Sequence, residues 1–112
     1  MKIYHNPRCS KSRNGLKHLQ EKGIEVEIIE YLKIPLTSVE LTELFKKIGK
    51  SPKEMIRTHE EIYKKEFKGK EFSDSEWIEI IAKNPKLLHR PIIVKGEKAV
   101  WGQPVDEIDK LL

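Results

Sequence analysis

The chain is poor in thiols: Cys9 is the only cysteine among 112 residues. An internal disulfide is therefore impossible. Position 12 is Ser12, so there is no C-x-x-C pair, and dithiol chemistry within the chain is excluded. Position 15 is Gly15, so the C-x5-R loop that wraps an oxyanion under an arginine is missing as well. The four histidines form no H-x-x-x-H and no Cys/His cluster, so no metal is expected. No apolar run approaches the roughly 20 residues that span a bilayer. "MKIYHNPRC" turns polar after two apolar residues, unlike a signal peptide. A cytoplasmic protein with no membrane partner is the expectation. Nor is there a block of one charge. The net charge is +4, but residues 60–72, "EEIYKKEFKGKEF", hold four Lys and four Glu. Mixed signs read as a solvated face, not a phosphate-binding stripe, so no nucleic-acid partner is expected.

The length implies one domain, residues 1–112. "KIYHN" reads as strand 1, about Lys2–His5. "SKSRNGLKHLQEKG" carries Leu16 and Leu19 and ends at Gly23, which predicts a helix over about Ser10–Lys22. "EVEIIEYL" reads as strand 2, about Glu25–Tyr31. Three capping boxes mark helices in the middle: Thr37 with Glu40, Ser51 with Glu54 ahead of Pro52, and Ser73 with Glu76. The first carries Val39, Leu41, Leu44, Phe45 and Ile48; the third, Trp77, Ile80 and Ile81. "PIIVK" and "KAVWG", parted by Gly96-Glu97, predict a tight hairpin. "PVDEIDKLL" predicts a last helix with Val105, Ile108, Leu111 and Leu112 on one side. The order βα β ααα ββ α is that of an α/β, thioredoxin-like fold: a mixed four-stranded sheet with a helical subdomain, about 37–85, inserted after strand 2.

Cys9 falls just before the first turn of helix 1. There the unpartnered amides and the positive end of the helix dipole favour a thiolate and can also hold an oxyanion. Arg8, Lys11 and Arg13 are close in sequence, and His5 ends strand 1. A buried, inert thiol does not suit a stretch as polar as "NPRCSKSRN". Cys9 is thus expected to be a working nucleophile. Without a second cysteine, its oxidised form needs an external thiol, and glutathione is the abundant candidate.

"IYHNPRCSKSRNGL", "MIRTHEEIYKK" and "LLHRPIIV", in that order, resemble the arsenate reductase family of the glutathione- and glutaredoxin-coupled type, over essentially the whole chain. The resemblance implies that Cys9 attacks arsenate, that glutathione displaces arsenite, and that glutaredoxin clears the mixed disulfide, with no bound cofactor. It assigns His5 to keeping Cys9 ionised, and Arg57 and Arg90 to the oxyanion, with a cis proline at Pro91. Ser12 and Gln103 complete the expected substrate-binding set. Gln103 is a departure, because the family carries a third arginine just before a proline after the final hairpin, and the matching stretch here is "WGQPVDEI", with Gln103 before Pro104. Losing one charge-assisted contact to a dianion costs about 1.5–3 kcal/mol. The same family includes Spx regulators, which bind RNA polymerase and sense oxidants through C-x-x-C; Ser12 removes that switch. Three readings stand: an arsenate reductase, a glutathione-linked reductase of another substrate, and a polymerase-binding regulator.

Overall fold

The computed structural model describes residues 1–112. The chain divides into two compact units, Met1–Ile34 with Arg90–Leu112, and Pro35–His89.

The first unit holds the sheet. Its elements are β1 (Lys2–Tyr4), α1 (Ser10–Glu21), β2 (Glu27–Ile29), β3 (Ile92–Lys95), β4 (Lys98–Trp101) and a closing 3-10 helix, Val105–Leu111. The strand order is β2-β1-β3-β4. β1 and β2 run parallel, joined through α1 as a βαβ unit, and β3 is antiparallel to both β1 and β4. The sheet is mixed and four-stranded, as the sequence predicts. β2 is shorter than "EVEIIEYL" suggests, because the chain leaves the ladder at Glu30 and turns, burying Tyr31. His5 falls outside β1, although its amide still donates to the Ile29 carbonyl at 2.8 Å. α1 ends where its glycine indicates: Lys22 caps it, and Gly23 takes φ +72°. Gly96, at φ +59°, opens the two-residue hairpin turn.

Ile3, Leu19, Ile93, Ile108 and Leu111 form the core between the sheet, α1 and the closing helix. Burying an aliphatic side chain of this size contributes about 1.5–3 kcal/mol. The closing segment is a 3-10 helix, which explains one departure from expectation. At three residues per turn, Val105, Ile108 and Leu111 stack in one row. Leu112 falls outside that row and is 48% exposed.

The second unit is the helical insertion after β2. α2 (Ser38–Ile48) and α3 (Asp74–Lys83) each open on a complete capping box, at Thr37/Glu40 and Ser73/Glu76. Ser38 Oγ donates to Glu79 Oε1 at 2.6 Å across the pair. Leu41, Leu44 and Phe45 lie on the buried face of α2. Val39 does not; it sits about 200° around the helix from Leu41 and is 74% exposed. On α3 the buried stripe is Trp77, Ile78 and Ile81, with Ile80 only half-buried. The Ser51/Glu54 box forms but opens only a 3-10 turn, Pro52–Met55, not an α-helix. Ile56 is already extended and bridges to Leu88, so the chain is taken into pairing before a second turn can form. The mixed-charge segment contains a single π-turn, Tyr63–Phe67, none of it buried. Phe67, Phe72 and Trp77 make edge-on and tilted ring contacts, the closest 4.9 Å between centroids.

Candidate active site

The loop from β1 to α1 is shaped by its own polar groups. Asn6 Oδ1 accepts from the Arg8 amide at 3.1 Å, and the Asn6 carbonyl accepts from the Cys9 amide at 3.0 Å. Arg13 Nη1 reaches back to the Pro7 carbonyl at 3.0 Å. These bonds deliver Cys9, extended at φ −96° and ψ 123°, to the N-cap of α1. The Cys9 carbonyl accepts the first helical bond, from Arg13 N. The side chain makes no capping bond; it is the neighbouring amides and the Arg90 side chain that act on the sulfur. Burial of the sulfur pushes its pKa up. The Ser12 amide, the Arg90 side chain and the Lys11 amide outweigh that effect, and Cys9 lies below the ordinary thiol value. The thiol is half-buried, accessible enough to react.

Ser12 is fully buried, and its hydroxyl serves the loop. It accepts from the Asn6 amide at 3.0 Å and lies 2.6 Å from His5 Nδ1. The structure thus commits the Ser12 hydroxyl to the loop. Only its amide acts on the sulfur. The signal was present in the sequence: Ser12, Gly15, Leu16 and Leu19 share one helical stripe, and Leu19 is in the core. His5 is buried too. Its pKa is lowered, first by burial and also by the Arg13 charge, with Glu30 opposing.

Arg90 is buried immediately ahead of β3, and the Arg90–Pro91 peptide is cis. Its carbonyl accepts from Trp101 Nε1 at 3.3 Å, and the Pro91 carbonyl accepts from the Gly102 amide at 2.8 Å. β4 therefore holds the segment that carries the arginine. Gly15 is the other support, since a Cβ there would lie 2.7 Å from Pro91 Cγ. Asn6, Gly15, Trp101 and Gly102 are site-building residues that motif reading did not single out. Gln103 precedes a second cis proline, Pro104. It lines an open cleft of about 380 Å³ with Asn14, Lys17, His18, Glu21 and Val105, along α1.

Arg57 belongs to the second unit. Its amide donates to the Leu87 carbonyl at 2.7 Å, and His89 N donates to Met55 O at 2.9 Å, so the bridge flanking it is bonded on both sides. Arg57 Nε donates to Glu60 Oε2 at 3.2 Å, and Nη2 to His59 Nε2 at 2.9 Å. The turn Arg57–Glu60 thus fixes its own guanidinium.

The first unit brings together a thiol held below its usual pKa, helix-end amides and an arginine, an arrangement suited to thiolate attack on an oxyanion. The model of the ArsC family matches residues 4–111. Arsenate reductase from Neisseria meningitidis is 39% identical over 114 residues, covering all of this chain and 97% of that protein. An uncharacterised Escherichia coli protein, YfgD, is 41% identical over 96% of this chain and 92% of its own length. The structure of arsenate reductase from Vibrio cholerae superposes with a TM-score of 0.94 at 37% identity, covering 100% of this chain and 98% of that one. Through this match over nearly its whole length, the chain belongs to the ArsC family, with the thioredoxin-like fold its sequence implied.

Proposed function

We propose that this protein is a thiol-dependent arsenate reductase in which Cys9 is the nucleophile and glutathione, with glutaredoxin, is the reductant. The observation that carries this reading is the placement of Cys9, at the α1 N-cap with its pKa held down by the Ser12 amide and Arg90 against the effect of burial. Arg90 is the fixed positive group that the first unit offers the oxyanion, and His5 supports the thiol. The chain has no second cysteine to form an internal disulfide, so the second thiol comes from outside.

The Cys9 thiolate attacks arsenic and displaces one hydroxyl of protonated arsenate, which takes a proton from solvent and leaves as water, and an S–As(V) bond forms. A glutathione thiolate then attacks the Cys9 sulfur. The S–As bond breaks with its electron pair passing to arsenic, which departs as arsenite. Two thiols have become one mixed disulfide, and As(V) has become As(III). A glutaredoxin thiol then attacks the glutathione sulfur of the mixed disulfide and returns Cys9 to its thiolate. The helix-end amides and Arg90 stabilise charge on sulfur and on the departing oxygens.

Steady-state reduction of arsenate with glutathione and glutaredoxin tests the reading. Wild-type protein turns over, and Cys9→Ser abolishes turnover. Equal activity in Cys9→Ser, or none in a folded wild type at any arsenate concentration, rejects it.

A further inference from the structure

The loop geometry gives His5 a different role from that of a cationic partner to the thiol. Ser12 is fully buried, and its hydroxyl has two neighbours at hydrogen-bond distance, the Asn6 amide and His5 Nδ1. The amide can only donate. The hydroxyl hydrogen must therefore go to Nδ1, the one acceptor within reach. A ring that accepts at Nδ1 is neutral, with its proton on Nε2. An imidazolium would donate at Nδ1 and leave the buried Ser12 hydrogen without an acceptor.

From this bonding pattern we infer that His5 is a neutral positioning residue, acting on Cys9 only through Ser12. It pins the Ser12 hydroxyl, which holds the Asn6 amide, while the Asn6 carbonyl holds the Cys9 amide at 3.0 Å. This chain of bonds fixes the first turn of α1, so that the Ser12 and Lys11 amides stay aimed at the sulfur. The inference rests on the reading of Cys9 as an activated thiol. The charged groups that act on His5 are Glu30, beyond β2, and Arg13, on α1. They oppose one another, and burial adds to the Arg13 side, in keeping with a neutral ring.

Two measurements test the inference. The first needs no variant. Long-range nitrogen–proton NMR spectra of the imidazole should show the neutral Nε2–H tautomer at neutral pH, where Cys9 is active. An imidazolium under those conditions overturns the proposal. The second compares His5→Asn with His5→Phe. The asparagine amide oxygen overlays Nδ1 and can accept from Ser12; the phenyl ring cannot. The iodoacetamide alkylation rate of Cys9 near neutral pH should remain within about twofold of wild type in His5→Asn and fall about threefold or more in His5→Phe. An equal fall in both identifies the histidine charge as the active element and refutes the inference. A wild-type thiol that ionises only near 8.5, the value of a free cysteine, removes the underlying reading instead.

Discussion

Gly15→Ala separates local helix preference from the packing that builds the site. In an exposed helix interior this change would stabilise the protein by about 1 kcal/mol, because glycine is the poorer helix former. Here the added Cβ would sit 2.7 Å from Pro91 Cγ, against 3.4–4 Å for ordinary contact, and 3.6 Å from Ile108 Cδ1. The proline ring cannot rotate away as a flexible side-chain tip would. α1 or the Arg90–Pro91 segment must therefore move by several tenths of an ångström. Overpacking of this kind costs about 1–3 kcal/mol, so the net change should be a loss of about 0–2 kcal/mol. Both ends of the site are tied to the surfaces that would separate: Cys9 to the start of α1, and Arg90 to Pro91. Cys9 alkylation at neutral pH should slow along with the loss of stability. Urea unfolding monitored by Trp77 and Trp101 fluorescence, with the exposed Gln20→Ala as a control expected within about 0.5 kcal/mol of wild type, reads the effect. A Gly15→Ala protein about 1 kcal/mol more stable than wild type, with unchanged thiol reactivity, refutes the packing argument.

Removing the caps should weaken the second unit: Thr37→Ala and Ser73→Ala should each cost about 1 kcal/mol in urea unfolding, because each removes an acceptor for an N3 amide. Asp109 lies 2.8 Å from His18 Nε2 and 3.4 Å from Lys22 Nζ, and its pKa is lowered, chiefly by the His18 hydrogen bond. A carboxyl depressed on folding stabilises above its unfolded pKa and loses that contribution as pH falls through the folded value. Wild type should thus exceed Asp109→Asn in Tm at neutral pH, and the difference should shrink as pH falls below about 4. Trp101→Phe removes the indole donor to the Arg90 carbonyl and should raise the KM for arsenate more than it lowers stability, as measured by paired kinetics and thermal melts.

The parts of the fold legible in the sequence are those set by local chemistry. Thr37, Ser73 and Gly23 place helix ends through bonds and dihedral angles confined to a few residues, and Gly96 does the same for the hairpin. Ser51 carries the same signature as Thr37, yet its helix stops after one turn, because Ile56 is claimed by a non-local bridge to Leu88. The composition of Val39 suggests core, but its position on the helix does not. Cys9 was legible through its place at a helix start. Two of its supports were not: the Trp101 bond to Arg90 and the Gly15–Pro91 contact depend on chain reversals that no short motif encodes. The burial of the Ser12 hydroxyl was legible too, in the helical stripe that it shares with Leu16 and Leu19.

The central claim is that Cys9 is the atom that meets arsenic and then glutathione. Intact-protein mass spectrometry of a single turnover, run with arsenate and glutathione but without glutaredoxin, tests it directly. The account predicts one glutathione on Cys9 for each arsenite released, formed only when arsenate is present. Arsenite released with Cys9 unmodified, or glutathione added equally without arsenate, would contradict it.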